Sequence, residues 1–108
     1  MAYDLHLGER IRSEITELPF VEKKMFGGVG FLLNGNMACG VNQNNLIVRV
    51  DPVKQDEFLE KRYIKPFDLT GKPMKGWLMV EPEGCKTAEQ LSAWVKEGVT
   101  FALTLPPK

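Results

Sequence analysis

Between Tyr3 and Leu18, apolar or small residues recur at helical spacing (Leu5, Gly8, Ile11, Ile15, Leu18), while Asp4, Glu9, Arg10, Arg12, Glu14 and Glu17 lie mostly off that stripe. The pattern predicts an amphipathic helix that Pro19 closes. The period then changes. VEKKMF suits a short extended edge segment, VGFLLN and MACGVN read as strands, and Asn34-Gly35 between them predicts a tight hairpin turn, since both residues tolerate positive φ. A second turn over residues 42–45 leads into LIVRV, where Leu46, Val48 and Val50 share one face while Ile47 and Arg49 share the other. Three consecutive strands of this kind read as an antiparallel meander.

Asp51-Pro52 is a helix start: aspartate can cap free N–H groups and proline suits the first turn, so DPVKQDEFLEKR is predicted as a short helix burying Val53, Phe58 and Leu59 and stopping near Tyr63. YIKPFDLTGKPMKG, with two prolines and two glycines, is read as an ordered connection, because Ile64, Phe67, Leu69 and Met74 are too apolar for a solvated loop. WLMVEP is a return strand. Thr87, with Gln90 three residues on, predicts a capping box opening the last helix, whose buried stripe is Leu91, Trp94, Val95, Val99 and Ala102 before Pro106-Pro107. The expected fold class is α+β: an antiparallel β-meander sheet flanked by N-terminal and C-terminal helices, with a short middle helix and the helices on one face. Residues 1–108 are expected to form a single domain.

Composition narrows the function classes. The 108 residues are 44% hydrophobic and 26% charged, with 14 basic and 14 acidic side chains and a net charge of +0, so no global field draws the chain to nucleic acid or to a membrane. The opening MAYDLHLGER lacks the basic start and apolar run of a signal peptide, and no stretch approaches a membrane span. The cytoplasm is the expected compartment. Cys39 and Cys85, far apart and outside any CxxC, read as free, mostly buried thiols.

The stretch KKMFGGVGFLLNGNMACGV holds five glycines. A phosphate cradle would need a strand, a glycine turn and then a helix pointing its N-terminus at the anion. Here Gly27-Gly28-Val29-Gly30 leads into another strand, so the glycines are read as architecture: Gly27 and Gly28 for a bend or bulge, Gly30 and Gly40 for close approach of another element, and Gly35 for the turn. His6 is the one histidine. No Ser-His-Asp or Cys-His set can be assembled without it, and the carboxylate pairs Asp56-Glu57 and Glu81/Glu83 lack a ligand loop. No catalytic residue, metal ligand or cofactor site is therefore assigned.

One cluster stands above this background. Lys61, Arg62, Lys65, Lys72 and Lys75 face only Asp68 as a counter-charge, and Tyr63, Phe67 and Trp77 are interleaved with them. Cations that neutralise phosphates beside rings that stack on bases make residues 61–77 a candidate nucleic-acid surface. A protein-binding face is the competing reading, furnished by Met25, Phe26, Met37, Met74 and Met79 or by a KKMF sheet edge.

The ordered set MFGG, NGNMACGV, LIVRVDP, KPFDLTGKPMKGWLMVEPEG and LSAWVKEGVTFALTLPP, from about Arg10 to Pro107, resembles the N-terminal domain of the TfoX/Sxy family. The resemblance implies a small α+β domain of natural-competence regulators, which act as transcriptional coactivators alongside a cyclic-AMP receptor protein. The two-domain regulators carry a further C-terminal helical domain, so this chain, stopping after LTLPPK, is expected to be a stand-alone member. It implies no catalytic residues. The expected function is thus a non-enzymatic, regulatory interaction module whose partner is a protein, with a transcription-factor complex among the candidates; the alternative is direct nucleic-acid binding through residues 61–77, and a small-molecule enzyme ranks third. Neither the partner's identity nor the oligomeric state is legible in these residues.

Overall fold

The structure, a computed structural model, describes residues 4–25, 27–68 and 73–107. The elements run α1 (Leu5–Glu14), β1 (Phe20–Met25), β2 (Gly28–Leu33), β3 (Asn36–Asn42), β4 (Asn45–Arg49), a 3-10 turn (Pro52–Lys54), α2 (Gln55–Leu59), β5 (Ile64–Asp68), β6 (Pro73–Val80), a second 3-10 turn (Pro82–Gly84) and α3 (Ala88–Leu103). Among the described residues, six strands form one antiparallel sheet in the order β1-β2-β3-β4-β6-β5. The α+β architecture expected from the pattern is present. Its meander holds four strands, because the edge segment begins at Phe20 and pairs along β2.

Cross-strand register explains which side chains become core. Val29 pairs with Val41, Phe31 with Cys39, Cys39 with Val48, and Val48 with Leu78, which places these side chains on one face of the sheet. That face packs against Leu7, Ile11 and Ile15 from the N-terminal segment and Leu91 and Val95 from α3. Arg10 of α1 ties that helix to the segment leading into α3 by donating to the carbonyls of Cys85 and Lys86, both at 3.0 Å. A separate cluster of Met37, Ile47 and Phe67, with Leu32, Trp77 and Met79 against it, occupies the opposite face. The alternation of LIVRV is therefore as expected, with the refinement that Ile47 is buried too.

The turns follow the sequence signals. Asn34 and Gly35 have φ of 54° and 84°, and Gln43 has 57° in the second hairpin. The capping box opens α3: Gln90 N donates to Thr87 Oγ1 at 3.1 Å, and Thr87 N donates to Gln90 Oε1 at 2.9 Å. Gly27, at φ 73°, makes the bend between β1 and β2. At Gly28 a Cβ would strike the Val41 carbonyl, and at Gly40 the Val29 carbonyl, so both glycines let the paired backbones close on each other.

Three expectations are corrected. Asp4 caps α1 by accepting from Leu7 N at 3.0 Å, and the helix ends at Glu14; this phase turns Leu5 outward (68% exposed) and buries Leu7 with Ile11 and Ile15. Val53 is 88% exposed, because Pro52–Lys54 winds as a 3-10 turn, whose three-residue period shifts the inward position to Gln55. The supposed connection contains β5, an edge strand where Pro66 is tolerated because edge positions have an outward side that needs no N–H. Phe26, Leu69 and Lys72 lie outside the described residues, as do the side chains of Met25, Asp68 and Met74.

Candidate functional site

The described residues of the basic segment do not form one surface. Lys61 and Arg62 stand exposed in the turn after α2, whereas Lys65 alternates with the core residue Ile64 and so points to the other face, where its Nζ lies 2.9 Å from Glu81 Oε2. Lys75 is exposed on β6, and Lys72 is outside the described residues. The interleaved aromatics divide as well. Phe67 is 2% exposed in the second cluster and has no face to offer a base, Trp77 is half-buried beside it with ring centroids 6.5 Å apart, and Tyr63 remains at the surface.

Lys61, Arg62 and Tyr63 instead border a cleft of about 360 Å³ between α2, α3 and the start of β5. Its apolar wall is built by Phe58 of α2 and Trp94 of α3, in edge-to-face contact with centroids 5.4 Å apart at 70°. Its rim carries Lys61, Arg62 and one acid, Glu97, whose Oε2 lies 3.9 Å from Lys54 Nζ. The rim is thus cationic over an aromatic floor. A pocket of this size, largely apolar with a few polar groups at its edge, is of the kind that receives a ligand or a partner's side chain.

The backbone at this rim is unusual. Tyr63 has φ 69°, in the left-handed region where a bulky side chain is disfavoured by about 1 kcal/mol or more. Its position is held from both sides. Tyr63 O accepts from Glu81 N at 2.8 Å, and Gly84 leaves room for the Tyr63 Cβ, which a Cβ at 84 would approach to 3.0 Å. The Arg62 guanidinium sits 5.2 Å from the Tyr63 ring centroid. No sequence signal marks positive φ at a tyrosine, and Phe58 and Trp94 read equally well as core, so neither the cleft nor its strained residue was visible in the pattern.

Other candidate chemistry is placed plainly. His6 is exposed on α1. Cys39 and Cys85 are free and buried, and desolvation pushes their thiols up to about 12 and about 11, so neither is a thiolate near neutral pH. Among the described residues there is no group of three His, Cys, Asp or Glu side chains placed to hold a metal, and no helix is long and apolar enough to cross a membrane.

Among the described residues, a six-stranded antiparallel sheet with helices on one face, and a rim of cations over an aromatic cleft, define a small α+β domain. The chain belongs to the TfoX N-terminal domain family, whose model matches residues 17–102. No curated protein matches it. Among solved structures, the crystal structure of Deinococcus radiodurans protein DR2400, described by the family-model domain DUF419, is similar in fold: 21% identity, TM-score 0.68, covering 87% of this chain and 76% of that one.

Proposed function

We propose that this domain is a non-enzymatic, regulatory interaction module that receives an acidic segment of a protein partner in the cleft between α2 and α3. The observation that carries this reading is the combination at one site of an aromatic floor (Phe58, Trp94) and an exposed cationic rim (Lys61, Arg62). An acidic, apolar segment matches both: its carboxylates meet the rim, and one apolar side chain fills the floor. Membership of the TfoX N-terminal domain family supports a role of the kind that competence coactivators play, with a transcription-factor complex as the partner. Tyr63 supports it further, since a strained residue kept at a cleft rim is more simply accounted for by binding than by folding.

The test is an NMR titration of labelled protein with a short synthetic peptide alternating glutamate with leucine and tryptophan, and in parallel with duplex DNA at two salt concentrations. Saturable shifts of the Trp94 indole and of residues 58–64 by the peptide, lost in the Lys61→Glu/Arg62→Glu variant with its melting temperature unchanged, are the expected result. Salt-sensitive shifts by DNA centred on Lys61, Arg62, Lys65, Lys72 and Lys75, with the peptide silent, would replace this reading by direct nucleic-acid binding.

A further inference from the structure

One face of α3 carries Gln90, Trp94, Glu97 and Phe101 at helical spacing, and the last three meet successive partners: Phe58, Lys54 and Arg49. The end of this stripe away from the cleft is a second polar locus. The Arg49 guanidinium, at the last position of β4, lies 5.1 Å from the Trp77 ring centroid and 5.8 Å from that of Phe101. It is half-buried. Attraction to ring electrons restrains the guanidinium and shields part of it from water, but it consumes none of the five N–H donors, and arginine cannot shed its charge to escape burial.

Among the described residues, the Arg49 guanidinium makes no hydrogen bond and no ion pair. The carboxylate closest in sequence is already engaged: Asp51 Oδ1 accepts from Val53 N at 3.0 Å and caps the turn before α2. Toward the described residues, Arg49 is therefore a restrained cation with its donor edge unspent. Its backbone is anchored on both sides by the fully buried Val48 and Val50, which hold it in register opposite Trp77.

We propose that Arg49, held between Trp77 and Phe101, binds an oxyanion, the phosphate or carboxylate group of a ligand, through the fork of its guanidinium. The chemistry is that of a bidentate charge-assisted pair, for which the planar fork is suited and in which rings that fix its orientation reduce the ordering still to be done on binding. This site does not rest on the cleft reading. A purely structural role would need only the aliphatic stem and the positive charge, and lysine would supply both.

The two roles separate in one experiment. Uniformly labelled protein is titrated with inorganic phosphate and, separately, with acetate, at ionic strength held constant with sodium chloride, while the Arg49 Nε–H and the two tryptophan indole N–H resonances are followed. Saturable movement of Arg49 and of Trp77, with the Trp94 indole still, is expected; phosphate acting alone identifies a phosphate site, and acetate acting equally identifies a carboxylate site. Arg49→Gln abolishes the response, and Arg49→Lys weakens it roughly tenfold although the charge is kept. No saturable response to either anion in the wild-type protein overturns the proposal, as does an unchanged response in Arg49→Lys. The wild-type titration decides the matter even if Arg49→Gln does not fold. Because Trp94 reports on the cleft and Trp77 on this site, failure of one reading is distinguishable from failure of the other.

Discussion

The β2–β3 hairpin and the turn before β5 treat glycine in opposite ways. In the hairpin, glycine occupies positions that no side chain can share: a Cβ at Gly28 or Gly40 would enter the carbonyl of the facing strand, and at Gly98, where α3 lies on β3, that of Ala38. At residue 63, φ is 69° and glycine would be the least strained choice, yet the chain carries tyrosine. The first region shows glycines serving close packing, and in the run GGVG that resembles a ligand loop Gly27 makes the bend while Gly28, Val29 and Gly30 lie inside the sheet. The second shows a side chain retained against backbone preference, and it lies on the rim of the cleft.

Three substitutions probe this contrast. The largest effect is expected at the hairpin: Gly28→Ala forces the β2 and β3 backbones apart and should destabilise the fold by about 3 kcal/mol or more, with Gly98→Ala close behind, as read from urea unfolding. A change below about 1 kcal/mol at both positions would mean that the sheet yields at little cost and that the glycines are not required by packing. At the rim, Tyr63→Gly relieves left-handed strain while adding unfolded-state entropy and removing ring contacts. Its stability should stay within about 1 kcal/mol of the parent, while affinity for the acidic peptide falls. Equal loss of stability at 63 and 28 would remove the distinction between the two regions.

The smallest effect belongs to the surface pair that joins α1 to β1. Arg12 Nε donates to Glu22 Oε1 at 2.7 Å, and this hydrogen bond holds the Glu22 carboxyl below its ordinary value of 4.5. A carboxylate whose folded pKa is lowered adds stability above the unfolded value and loses it as pH falls through the folded one. Both side chains are more than a third exposed or close to it (43% and 35%), so solvent screening limits the pair to a few tenths of a kcal/mol. Glu22→Gln should therefore lower the melting temperature slightly at pH 7 and by progressively less as the pH falls below 4.5, which thermal scans across that range would check.

Local rules reached far along this chain. Asn34-Gly35, Thr87 with Gln90, and the alternation of LIVRV each carry their structure in adjacent residues, because turn dihedrals, caps and strand faces are decided within a few positions. The same locality explains the misses. Whether Leu5 or Leu7 faces inward depends on where the Asp4 cap starts the helix, and whether Val53 is buried depends on a change from 3-10 to α winding. The apolar and basic residues of 61–77 were visible, but not that Lys61 and Arg62 border the cleft while Lys65 turns to the opposite face of the edge strand.

The sequence by itself determined the α+β class, the hairpins, the capped C-terminal helix, the architectural role of the glycines and the family resemblance, since each rests on short-range sterics and periodicity or on an ordered set of local motifs. Only the tertiary structure decided that β6 inserts between β4 and β5, that Phe58 and Trp94 wall a cleft with Lys61 and Arg62 on its rim, and that Arg49 lies between Trp77 and Phe101. These features join residues tens of positions apart. Their placement follows from how helix and sheet faces bury their apolar area together, a sum over the whole chain that no local window contains.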